Sequence, residues 1–221
     1  MFVMKMLEER SYSKQELAEL LGTQDRQGLK DKLDGYDVVY TIKGRGDNAV
    51  FKIKRLNNPF KVFCILELGF KPQTDFKKVR NLYWYYFNDD EFMAMPDEVK
   101  EHRMGENGHP VSRQSIAKYL EKLARKEYIN PQSGNYIYYF AYKDTQTITT
   151  REQYSKAWKE YHARKLQTNY FEAIMEMREI YGGVAKKQAI PDINGIHIDK
   201  INYLNELIIR SLYDELDEEF E

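Results

Sequence analysis

The sequence predicts a mainly α-helical fold with small antiparallel β-hairpins and a helical C-terminal region. In most segments the apolar residues recur at the three- and four-residue spacing of an amphipathic helix. Two other runs alternate with the period of two that is typical of a strand. Small polar residues and glycines stand at most segment ends, where helices need caps. We place domain boundaries so that residues 1–56, 57–150 and 151–221 form separate regions.

Three short helices open the first region. Apolar spacing predicts a helix over residues 2–9. Ser13 and Glu16 form the capping box of a second helix, which Gly22 ends. A third helix is expected to begin at Thr23, again a residue type that caps helices.

A predicted hairpin completes this region. Residues 38–42 and 50–53 alternate between apolar and polar side chains on either side of a glycine-rich turn. A linker is then predicted at Asn57 to Pro59, because proline disfavours the helical conformation in the residue before it. Helices followed by a hairpin within about 55 residues are typical of a winged helix.

The second region repeats this order of elements. Ser112 is expected to cap a helix over residues 113–126, and residues 136–142 and 147–149 form a second hairpin pattern. The full prediction is therefore tandem winged helix-turn-helix units plus a helical C-terminal region. The other helices are expected near residues 59–68, 74–87, 89–104, 150–165, 168–181 and 199–216.

Composition indicates a folded chain of the cytoplasm. Hydrophobic residues make up 42% and charged residues 31%, and Cys64 is the one cysteine, so no internal disulfide can form. No apolar run reaches the roughly 20 residues of a membrane span, and we expect no membrane partner. Residues 1–165 carry a net charge of +6 and residues 166–221 a net charge of −7. Only the first part is therefore suited to phosphates.

One helix carries a pattern with a known counterpart. Ser112, Arg113 and Gln114 precede an apolar face made by Ile116, Leu120 and Leu123. This segment, with the hairpin after it, resembles the recognition helix of bacterial and phage winged helix-turn-helix regulators. The resemblance identifies no subfamily, and it implies sequence-specific binding to duplex DNA.

The chemistry of the side chains agrees with that implication. At a helix end in the major groove, Arg113 could bond guanine and Gln114 adenine, and Ser112, Lys118 and Lys122 suit phosphates. The alternative is that Arg113 and Gln114 are ordinary solvated residues. In the first region the equivalent positions are Thr23, Gln24, Arg26, Gln27 and Lys30. Asp25 among them would repel phosphate, unless it caps the helix or accepts a hydrogen bond from a cytosine.

The first hairpin turn is a further candidate contact. Gly44 and Gly46 present Arg45 on a thin turn, where an arginine could enter a narrow minor groove. The competing interpretation is a solvated turn without a ligand. The second turn, near Lys143, carries less charge and is a weaker candidate.

Enzyme signatures are absent from the sequence. The four histidines show no metal-ligand spacing, and no glycine-rich phosphate loop or nucleophile elbow is present. We therefore predict no catalytic residues, no metal and no cofactor.

Two functions stay open at this point. The first is a transcriptional repressor or replication-origin binding protein of a phage or mobile element, which dimerises through its C-terminal helices. The second is an inhibitor or adaptor of the phage counter-defence type, which binds a nucleic-acid-handling protein and whose acidic tail mimics phosphates. In the first case the apolar stripe of the last helix packs on the body of the protein or on a second copy.

Overall fold

The computed structural model describes residues 6–130, 134, 136–143, 145–190 and 198–219. Within these residues the chain is mainly helical, with ten α-helices and two antiparallel three-stranded sheets. It divides into two compact units, residues 1–84 with 197–221 and residues 85–196. The predicted boundaries after residues 56 and 150 fall inside these units.

The first unit combines a small sheet with helices from both ends of the chain. Its sheet has the order β1–β3–β2, so the short first strand pairs with the second strand of the hairpin. The elements are β1 (Ser11–Ser13), α1 (Lys14–Leu21), α2 (Arg26–Gly35), β2 (Val38–Lys43), a 3-10 turn (Gly46–Asn48), β3 (Val50–Leu56), α3 (Pro59–Leu66), most of α4 (Phe76–Asn88) and α10 (Ile198–Glu219).

The predicted helix over residues 2–9 is wrong where the structure can be compared. Residues 2–5 lie outside the described residues, and residues 6–10 are not helical. The Tyr12 hydroxyl accepts a hydrogen bond from the Glu8 backbone N–H, and Ile53 N–H donates to the Arg10 carbonyl. The segment therefore extends the edge of the sheet, and its apolar residue Leu7 is buried without forming a helical face.

The helix ends follow local chemistry closely. The Ser13 hydroxyl accepts from Glu16 N–H at 3.1 Å, and Gly22 adopts a left-handed φ of 65°, which confirms both predicted ends of α1. The Glu16 carboxylate pairs with Arg10 instead of completing the capping box. For α2 the predicted cap Thr23 is wrong, because Asp25 accepts the backbone bond.

The last helix belongs to the first unit. From the sequence, the apolar stripe of this helix could pack either on the body of the protein or on a second copy. In the structure the stripe is buried within the chain, with Ile201, Leu204 and Ile208 in the core. The Tyr203 ring lies 6.0 Å from the ring of Phe63 on α3. The predicted region 151–221 therefore does not fold as one piece, because burying this stripe requires the return to α3.

In the second unit, a sheet lies between helices. Its strand order is β5–β4–β6. The strand outside the hairpin, β6, therefore pairs with the first hairpin strand, β4, whereas in the first unit the outside strand pairs with the second hairpin strand. The elements after the end of α4 are α5 (Asp90–Ala94), α6 (Asp97–Glu106), α7 (Arg113–Arg125), β4 (Tyr136–Tyr142), β5 (Thr145–Thr149), α8 (Arg151–Gln167), α9 (Tyr170–Tyr181) and β6 (Val184–Ala189).

The central strand β4 is covered on both faces. Phe140 packs into a core with Ala157 of α8 and Met177 of α9. Tyr139, the next residue back, points to the opposite face and is also buried. On that face Gln188 of β6 accepts a hydrogen bond from an N–H of α6. A strand buried on both sides is expected to be apolar at successive positions, which accounts for the buried neighbours Tyr139 and Phe140 near the centre of β4.

A buried lysine sets up a test of this packing. The Lys100 side chain is 1% exposed, and its Nζ donates to the Met95 carbonyl and lies 3.7 Å from Asp97 Oδ1. Burial lowers the pKa of Lys100, and the nearby carboxylate opposes that shift. Because the folded pKa lies below the unfolded one, this lysine destabilises the fold less as pH rises through that interval.

We expect Asp97→Asn to lower the free energy of unfolding by about 2–4 kcal/mol at pH 7, because it leaves a buried ammonium without its carboxylate. The loss should be smaller at pH 10, because the lowered pKa of Lys100 leaves less of its amine charged there. Urea unfolding at both pH values measures this, with the exposed Glu101→Gln on the same helix as the control. A loss that is equal at both pH values would contradict this explanation.

Candidate nucleic-acid interface

Two helices and a tight connection form the first part of the site. Residues 22–25 join α1 to α2. Asp25 accepts from Gly28 N–H at 2.7 Å, which lowers the pKa of its carboxyl group. A Cβ on Gly28 would lie 2.6 Å from Asp25 Oδ2, so this cap leaves little room for a larger residue. Asp25 therefore remains charged, and its negative charge lies at the N-terminus of α2, where it stabilises the helix.

The predicted contact residues at this end differ in accessibility. Gln24 and Gln27 are exposed, whereas Arg26 and Lys30 are half-buried. The Gln27 amide donates to Asp31 at 2.7 Å, which holds that side chain along the helix. Two exposed glutamines and two half-buried cations therefore lie within the connection and the first turns of α2.

The turn between β2 and β3 places Arg45 at an exposed tip. Gly44 has a φ of 82°, and a Cβ there would lie 2.8 Å from the Asn48 carbonyl oxygen, so the turn requires glycine. Asp47, two residues after Arg45, bonds Lys14 Nζ at 2.8 Å, and this bond lowers the pKa of Asp47. The turn is therefore fastened to the start of α1.

The turn and the helix pair share one cleft. It has a volume of about 880 Å³ and includes both the Lys14–Asp47 pair and the connection between α1 and α2. Its lining residues are Lys14, Gln15, Ala18, Glu19, Gly22, Thr23, Gln24 and Asp47. The sequence-predicted residue Gln24 thus lies at the same cleft as the turn that carries Arg45.

The outer face of the first sheet is basic. Phe51 and Ile53 of β3 are buried, so the alternating residues Lys52 and Lys54 face outward and are exposed. Lys52 lies between Ser11 and Thr41 in the register of the sheet. Lys43 lies opposite Val50 on that same face. No carboxylate among the described residues forms an ion pair with these three lysines.

In the second unit, the start of α7 is exposed. Ser112 caps the helix by accepting from Ser115 N–H at 3.3 Å, and Arg113, Gln114 and Lys118 are exposed. Lys122 is half-buried. The two predicted sets of residues therefore lie in different units, five in each.

A carboxylate that the sequence did not indicate meets this helix end. Arg113 Nη1 lies 2.5 Å from Glu98 Oε1 on α6, and Lys186 Nζ approaches the same oxygen at 3.8 Å. The Arg113 side chain keeps 55% of its surface exposed. To contact a base, it would have to exchange this carboxylate for the ligand.

The turn between β4 and β5 presents fewer charged side chains among the described residues than the turn between β2 and β3. Lys143 is exposed and its Nζ lies 5.3 Å from the centre of the Tyr142 ring. Asp144, which belongs to the predicted turn, lies outside the described residues.

No family model, curated protein or solved structure matches this chain. In the described part of the chain, no helix combines the length and apolar character required to cross a membrane. The same residues contain no group of three or more histidine, cysteine, aspartate or glutamate side chains placed to hold a metal ion.

The Ser112 cap gives a stability test. We expect Ser112→Ala to lower the free energy of unfolding by about 1 kcal/mol, because Ser115 N–H loses its acceptor. Ser112→Asp should retain most of that free energy, since aspartate also caps helices. Thermal and urea unfolding of the two variants measure this. Equal losses in both would show that the hydroxyl does not act as the cap.

Proposed function

We propose that the first unit is a winged helix-turn-helix domain that binds duplex DNA through α2 and the β2–β3 turn. The observation that carries this proposal is the arrangement of one exposed arginine, Arg45, on a turn fixed against the helix pair. In this fold type the second helix of the pair enters the major groove. An arginine on the adjacent turn can then reach the minor groove.

The surrounding charge supports phosphate contact. Lys43, Lys52 and Lys54 extend from the turn along one exposed sheet face. Such cations fix the position of a protein on DNA without reading its sequence. Gln24 and Gln27 at the outer end of α2 are the residue type that bonds adenine in the major groove. The unit thus has side chains for both tasks.

The biological role that we propose is a non-catalytic regulator, either a transcriptional repressor or a replication-origin binding protein of a phage or mobile element. The start of α7 in the second unit is a second candidate contact with DNA. Its Arg113–Glu98 pair favours the competing function, an adaptor or inhibitor that binds a protein, because this end is already partly neutralised.

Salt dependence separates the two functions. A duplex-binding protein should lose affinity steeply as salt rises, with a slope of about −0.9 for each phosphate contact. An adaptor should bind no duplex even at low salt. Selection of bound duplexes from a random pool then shows whether binding depends on sequence, with Gln24→Ala, Gln27→Ala as the comparison variant.

Two substitutions near the helix end and the turn give opposite predictions. Arg45→Ala should weaken duplex binding and reduce the salt slope by about 1. Asp25→Asn should strengthen binding, because asparagine retains the cap while the negative charge is removed. Fluorescence anisotropy with one labelled duplex measures both. Unchanged affinity in both variants would contradict contact at α2 and at the turn.

A further inference from the structure

A row of aromatic rings crosses the surface of the second unit. We call it the aromatic strip: Tyr136 and Tyr138 of β4, and Tyr154, Trp158 and His162 of α8. Successive ring centres lie 6.5, 4.9, 6.4 and 5.6 Å apart. Tyr136 and His162 at its ends are exposed, and the three rings between them are half-buried.

The strip lies over a core and only part of it packs against that core. The neighbouring core consists of fully buried side chains such as Phe140, Ala157 and Met177. The strip rings retain access to solvent, and Tyr136 is 43% exposed. Packing against this core accounts for Tyr154 and Trp158, but not for the exposed rings of Tyr136 and His162 at the two ends of the strip.

A basic stripe runs beside it. Arg151, Ser155 and Lys159 repeat every fourth residue on α8, next to the equally spaced rings of Tyr154 and Trp158. Residues four apart on a helix lie one above the other, so the two stripes run side by side. Both Arg151 and Lys159 are exposed and line one shallow groove.

A cation also lies beside Tyr136, the end of the strip that belongs to β4. Lys187 Nζ lies 4.8 Å from the centre of the Tyr136 ring. Two acids of α8 lie near the strip, and one of them, Glu160, is engaged by the Tyr181 hydroxyl at 2.5 Å and by Lys156 at 3.9 Å. Glu152 also lines the groove. The cations of the strip outnumber its acids.

We propose that the aromatic strip and its basic stripe bind single-stranded nucleic acid, with bases stacked on the rings and phosphates facing the cations. Exposed rings next to cations are the combination that such strands require, since every base has a stacking face and every linkage a charge. A duplex hides its base faces within its own stack. This site is therefore separate from the duplex-binding surface proposed for the first unit.

The test is binding of the full chain to a labelled oligothymidine at low salt, followed by fluorescence anisotropy. We expect Tyr136→Ala to weaken binding by about fivefold or more, the loss typical of one stacked base. Lys159→Gln should reduce the salt slope by about 0.7. The matched controls are Tyr213→Ala and Lys71→Gln, two exposed residues of the first unit, which should change neither quantity.

Two further readouts make the result decisive. Stacking on Trp158 should quench tryptophan emission when the strand binds, and Trp158→Phe should remove that change. Arg45→Ala should leave oligothymidine affinity unchanged, so that failure of one proposed surface is distinguishable from failure of the other. No binding at low salt, or equal losses from Tyr136→Ala and Tyr213→Ala, would overturn the proposal.

Discussion

The bonds made by Lys14 hold the first unit in the form on which its proposed function depends. Its backbone N–H donates to the Ala49 carbonyl at 3.1 Å, beside the start of β3. Its side chain bonds Asp47 at 2.8 Å within the turn. One residue thus connects the end of β1, the start of α1 and the hairpin. Through these two bonds the hairpin that carries Arg45 is joined to the start of α1, the helix that precedes α2.

Local chemistry made much of this fold predictable. Ser13, Ser112 and Thr150 act as caps because a hydroxyl can accept from the N–H three residues later, a property that needs no knowledge of the rest of the chain. The first hairpin could be predicted because apolar and polar residues alternate on both sides of a glycine-rich turn. Thr23 and Asp25 were harder to separate, since both residue types cap helices and only the path of the chain decides between them.

The remaining features depend on contacts between distant segments. Strand β6 contains mostly small or polar residues and shows no alternation, so only its pairing with β4 makes it a strand. The return of α10 to α3 could not be read from its stripe, which suits any apolar partner. The Arg113–Glu98 pair joins residues of different helices and is set by their packing. These same contacts altered the candidate site most, because they decide which charges are available.

The two proposals assign different forms of nucleic acid to the two units. A fixed turn with lysines beside it suits the regular phosphate spacing of a duplex, whereas exposed rings suit bases that are not paired. A chain with both properties would be useful where a duplex is bound and then opened, which is the replication-origin role among those proposed.

Hydrogen–deuterium exchange of the full chain with and without a saturating duplex shows which part of the first unit contacts DNA. We expect slower amide exchange at residues 43–50 and 23–30 when duplex is bound, because the turn and the start of α2 would lie against it. Protection confined to the second unit, or no protection anywhere at low salt, would contradict this expectation.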